Sequence, residues 1–206
     1  MKKVLSIMVV ALMSVVMSAS AQFVTTGHKS SVSQPATTNK GWSTLYLEWN
    51  PSSLYDGGSS IDLTGFSLGY NHAFGLSSSA PLYLETGIGA QCILKTGDHN
   101  FWMTSAKVPI NLVYAIQITN SSITLFPYAG LGLRFNIYGE DDSEPIFSDD
   151  SDCQRFQIGL QLGLKARFGR RFLLGAGYYN DILKFEGNSY FSAKIRGGAI
   201  TIGYVL

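Results

Sequence analysis

The residues that could do chemistry are few. His28, His72 and His99 are scattered along the chain, with no HExxH and no pair at metal-ligand spacing. Asp98 and His99, with Ser105 nearby, suggest an acid, a base and a nucleophile, but no GxSxG elbow accompanies them. Gly87-x-Gly89 and Gly130-x-Gly132 lack the third glycine and the following helix that a phosphate loop needs. The chain is therefore expected to carry no catalytic, cofactor-binding or metal-ligating residues.

Two sets of charges remain. Glu48, Glu85, Lys107, Arg134, Arg155, Lys165 and Arg167 all fall on the polar phase of alternating segments. Buried charges need partners, and this set supplies both signs. It predicts a salt-bridged interior network rather than a selective ion path. Glu140, Asp141, Asp142, Glu144, Asp149, Asp150 and Asp152 hold seven of the chain's 14 acids, with no basic residue among them. Divalent-cation binding would be the sharp reading, but without EF-hand spacing they predict a solvated external loop. Cys92 and Cys153 map near the same end. A disulfide is chemically allowed outside the cytoplasm, but their strands are three apart and Cys92 falls on the apolar phase.

The elements that must position these groups are strands. Eight segments alternate with period two: 42–50, 62–72, 82–94, 104–118, 123–138, 154–168, 172–185 and 192–206. In the sixth, Phe156, Ile158, Leu160, Leu162, Leu164, Ala166 and Phe168 oppose Arg155, Gln157, Gly159, Gln161, Gly163, Lys165 and Arg167. The polar phases are rich in glycine, among them Gly69, Gly89, Gly163 and Gly177. Glycine weakens a strand and has little use on an open solvated face. It suits a narrow barrel whose interior must leave room for Arg, Lys, Glu and Tyr. The apolar phases are long and nearly uncharged, as a membrane-spanning strand of ~9–11 residues requires. Tight links at 119–122 and 169–171 contrast with longer ones at 51–61, 95–103 and 139–153. The link 73–81 departs from that alternation. Trp42, Phe168, Phe172 and Tyr204 below, with Trp49 and Trp102 above, would form interfacial girdles.

Composition agrees. The 206 residues are 46% hydrophobic and only 14% charged, against about 25% charged in an ordinary soluble domain. Such a chain is neither disordered nor nucleic-acid-binding. Lys2 and Lys3, the apolar run Val4 to Met17 and Ala19-Ser20-Ala21 read as a secretory signal peptide over 1–21, too short to span a bilayer. Its removal leaves 13 basic and 14 acidic residues. The Ser/Thr-rich stretch 22–41 reads as a flexible periplasmic linker ahead of a barrel domain at 42–206.

Four short motifs carry a resemblance: Ala19-Ser20-Ala21-Gln22, Lys107-Val108-Pro109-Ile110, Pro127-Tyr128-Ala129-Gly130-Leu131-Gly132, and Gly175-Ala176-Gly177-Tyr178-Tyr179-Asn180. On these the chain resembles the small outer-membrane β-barrel proteins of Bacteroidetes-type bacteria, often described as PorT-like, over about 42–206. Such barrels usually end in Phe, whereas this chain ends in Leu206. The resemblance implies fold and location and transfers no catalytic residue.

The expectation is thus an all-β fold: an eight-stranded antiparallel transmembrane β-barrel with up-and-down meander topology, in a Gram-negative outer membrane. Eight strands close around packed side chains rather than an open pore. Its partners would be outer-membrane lipids and other envelope proteins, not nucleic acid. Its role would be structural, surface-interacting or accessory. A membrane-embedded lipid-modifying enzyme is the second expectation and a secreted lipocalin-like binding barrel the third.

Overall fold

A computed structural model describes residues 41–56, 58–95, 100–148, 153–185 and 193–206. The signal peptide, the linker up to residue 40, His28, Asp98, His99, Asp149, Asp150 and Asp152 lie outside the described residues. Eight long strands form the wall: β1 (Trp42–Asp56), β2 (Ser59–Gly75), β3 (Leu82–Lys95), β4 (Phe101–Tyr114), β6 (Ile123–Asp141), β8 (Phe156–Phe168), β9 (Phe172–Asp181) and β10 (Lys194–Val205). The two-residue strands β5 (Ile116–Gln117) and β7 (Glu144–Pro145) pair only with β6. Each long strand is antiparallel to the next, and β10 pairs with β1, so the sheet closes as an eight-stranded up-and-down barrel.

Alternation decides which side each residue takes. A strand turns successive side chains to opposite faces, and a one-residue slip would exchange the faces. On β1, Thr44, Tyr46 and Asn50 are buried while Leu45, Leu47 and Trp49 are exposed. The apolar side chains point out of the barrel: Leu68 and Ile88 are each 63% exposed and Ile202 is 58% exposed. A water-soluble barrel would invert this arrangement, because a contiguous exposed apolar belt is unfavourable in water.

The lower end of the barrel holds the start of β1 and the end of β10. There the interior is floored by Ala73, Tyr83, Val113 and Phe126, with Trp42 and Tyr128 packed against them. Trp42 therefore points inward, its ring 4.6 Å from that of Tyr83, and is not part of an outer girdle. Its even-numbered position shares the inward phase of Thr44. The upper end is capped by Leu63, Ile93, Met103, Phe185 and Ile195.

β1, β2, β3, β4 and β6 outrun their sequence-based limits at the upper end. β1 and β2 pair as far as Asp56 and Ser59, across much of the link expected over 51–61, because Leu54 and Leu63 continue the inward packing on the cap. β6 runs to Asp141 and returns through Asp142 and Ser143, which take left-handed φ of 47° and 74°. Glu140 and Asp141 thus belong to a strand and Glu144 to its returning partner, so the acidic segment starts as a hairpin rather than an open loop. β9 stops at Asp181, four residues short of its expected end. At the lower end, Gly169 adopts φ 62° in the tight β8–β9 turn, a conformation glycine takes without cost.

Candidate functional site

The feature that could carry function is the polar layer between floor and cap. Three ion pairs cross it. Lys107 on β4 donates to Glu48 on β1 at 2.7 Å. Lys165 on β8 donates to both carboxylate oxygens of Glu85 on β3, at 2.6 and 2.7 Å. Arg134 on β6 meets Asp181 on β9 at 2.5 Å. Three cations against three anions leave the layer neutral, which a desolvated interior demands.

Neutral side chains add hydrogen bonds to this layer, although Gln91 Oε1, Arg134 Nε and Gln157 Nε2 are buried without a partner. Asn50 donates to Glu48 at 2.7 Å and accepts from Ser67 at 2.6 Å and Gln91 at 3.1 Å. Thr201 donates to Glu48 at 3.1 Å. Asn111 donates to Glu85 at 3.0 Å and accepts from Gln161 at 2.7 Å. Arg134 also bonds Gln157. Glycines make space for the bulk. A Cβ at Gly69 would stand 2.6 Å from the Tyr46 hydroxyl, and one at Gly163 would stand 2.6 Å from the Tyr128 hydroxyl. Two cavities of about 50 and 40 Å³ remain among these side chains, both bordered by Glu48, Lys107, Tyr128 and Gln161. Each has room for a few water molecules.

The seven charges singled out from sequence thus part company. Glu48, Glu85, Lys107, Arg134 and Lys165 meet in the polar layer. Arg167 lies lower, over the rings of Trp42 and Phe126 at 5.7 and 5.2 Å. Arg155 does not enter the interior: it immediately precedes β8 and lies exposed at the upper rim. There it donates to the carbonyls of Ile137 and Phe147 at 2.9 and 2.8 Å. Asp181, the partner of Arg134, was missed, although its odd number puts it in phase with the inward Gly175, Gly177 and Tyr179.

Of the acidic set, Glu140 accepts from the Trp102 indole at 3.0 Å and from the Tyr138 hydroxyl on the outer side of the upper end. These hydrogen bonds hold its carboxyl below the usual range. Among the described residues no group of three or more His, Cys, Asp or Glu could hold a metal ion. Cys92 and Cys153 form no disulfide. Cys92 is on the outward phase of β3, while Cys153 packs on the interior cap.

Ser105 is buried inside the wall and donates to Asn136 at 2.8 Å, unsuited to attack a lipid outside. A different serine meets a histidine: Ser43 Oγ is 2.8 Å from His72 Nδ1 and 2.7 Å from the Tyr70 hydroxyl. The three lie on the outward phase at the lower rim, where Ser43 pairs with His72 across β1 and β2.

No protein-family model matches the chain, and no curated relative matches it. Solved barrels do resemble it. The outer-membrane enzyme PagL aligns with TM-score 0.51 at 13% identity, covering 78% of this chain and 97% of PagL. Neisserial surface protein A aligns with TM-score 0.49 at 18% identity, covering 80% and 96%. Ail, the attachment invasion locus protein of Yersinia pestis, aligns with TM-score 0.48 at 15% identity, covering 81% and 99%. At such identities the likeness is one of fold alone.

Proposed function

We propose that this chain is an integral outer-membrane barrel without catalytic activity, serving as a structural, surface-interacting or accessory component of a Gram-negative envelope, of the PorT-like kind its motifs resemble. One observation carries the reading: an exposed, mostly apolar belt encloses a polar interior held by three ion pairs among the described residues. Lipid is the solvent that suits such a belt, and full sheet closure leaves no unpaired edge within it. The paired interior and its small cavities suit a plug rather than a conduit. The test is fractionation after expression in a Gram-negative host. The protein should stay with outer membranes through carbonate washing and shift in mobility on boiling. In planar bilayers it should show no large, stable channel. Release by carbonate would refute the membrane reading, and reproducible porin-sized openings would refute the plug.

The hydrolytic reading draws on Ser43 and His72. Among the described residues no carboxylate hydrogen-bonds His72 to orient it, as a working triad requires. A serine-reactive phosphonate should leave the detergent-solubilised barrel unlabelled. Labelling abolished by Ser43→Ala would favour the enzyme.

A further inference from the structure

We infer that the outer wall carries a binding site for one phosphate-bearing lipid of the outer leaflet, at the upper end of the seam between β1 and β10; the inference rests on the membrane reading above. The ladder at this seam is interrupted. Trp49 pairs with Ile200 and Ser52 with Gly197, but Asn50 and Pro51 have no assigned partners between them. Proline has no N–H to donate, so the ladder loses a rung there. On the outer face of the same stretch, Gly198 contributes no side chain. A groove of about 480 Å³ results, bordered by Pro51, Asp62, Thr64, Tyr178, Arg196 and Gly198.

The groove joins two chemistries. Immediately below it stand Trp49 and Ile200, 44% and 50% exposed, on the apolar belt. At its upper edge Arg196 lies 4.0 Å over the ring of Tyr55. Lys194 occupies the next outward position on β10 and pairs with Tyr55 across the seam. No salt bridge joins either cation to a carboxylate among the described residues. Asp62 lies on the same row as Arg196, across Ser53, so these three charges sum to one positive. The acyl chains would lie below the groove, on the apolar belt at Trp49 and Ile200, with the headgroup in the groove. A phosphate in that headgroup would meet a guanidinium already oriented by its ring, with an ammonium beside it. A zwitterionic headgroup would gain less there, because its own cation would face Arg196 and Lys194.

The test uses the full-length mature barrel in zwitterionic detergent, with native mass spectrometry counting retained lipid. The probes are dioleoylphosphatidic acid, dioleoylphosphatidylcholine and inorganic phosphate. One phosphatidic acid should be retained per barrel, with about tenfold preference over phosphatidylcholine, and phosphate should not displace it. Arg196→Ala with Lys194→Ala should abolish the preference, and Asp62→Asn should increase it. Gly198→Leu should block binding by filling the groove. A Cβ at this position meets nothing nearer than Pro51 Cγ at 3.5 Å, so the wall itself accommodates it. Boiling-dependent mobility confirms that each variant is folded. Equal retention of both lipids, displacement by phosphate, or full preference in the double-alanine variant would overturn the site while leaving the membrane reading intact. A protein that never enters detergent micelles as a folded barrel would overturn both.

Discussion

The Glu85–Lys165 pair offers the sharpest measurement of whether the interior is as dry as its packing implies. Side-chain exposure is 4% for Glu85 and 10% for Lys165, and both carboxylate oxygens face the ammonium. Lys165→Met removes the cation and leaves Glu85 with only the Asn111 amide. Losing one partner of a buried pair costs ~3–5 kcal/mol, because the other charge stays desolvated and uncompensated. Glu85→Leu should cost a similar amount, reduced by whatever Lys165 retains from its position 4.9 Å over the Tyr128 ring. The double variant leaves no orphan charge and replaces the pair by apolar groups of similar volume. Its cost should be only about 1–2 kcal/mol, giving a coupling of at least about 3 kcal/mol. A solvated pair would instead couple by less than about 1 kcal/mol. The assay is urea unfolding of barrels refolded into lipid vesicles, followed by tryptophan fluorescence, with the four proteins compared at constant slope. Additive single variants would mean a wet interior and would undo the argument for a plug.

Three further outcomes follow from the wall and its rim. Leu160→Arg puts a cation on the outward phase of β8 near its middle and should cost ~2–4 kcal/mol or block assembly, whereas Leu160→Ala should assemble; normal yield of the arginine variant would contradict a lipid-facing belt. An epitope tag after Ser148, beyond the β6–β7 hairpin, should be labelled on intact cells, and labelling only after permeabilisation would reverse the orientation. Because Glu140 titrates below its ordinary value, its contact with Trp102 should be complete above the usual carboxylate range and disappear as pH falls through the lowered value. The Trp102 indole N–H resonance reports this, and Glu140→Gln should remove the pH response.

Period-two alternation determined a great deal by itself, because the direction of a strand side chain is a local property. It assigned Glu48, Glu85, Lys107, Arg134 and Lys165 to the interior, and the apolar phases to the outside, without knowledge of any pairing. The same rule could have found Asp181. Its limits are equally local. Arg155 sits one residue before β8, and its guanidinium turns to the carbonyls of Ile137 and Phe147 at the rim rather than into the interior. Trp42 was placed by its type at a strand end, although its phase points inward to Tyr83 and Phe126. What belonged only to the tertiary structure is who meets whom. Lys165 reaches Glu85 across 80 residues and Lys107 reaches Glu48 across 59, contacts that exist because closure brings distant strands around one narrow lumen. Ser43 and His72 meet through the register of β1 on β2, and the Arg196 groove through a missing rung beside Gly198. Each depends on strand register and curvature together, which side-chain sequence specifies only once the whole sheet has closed.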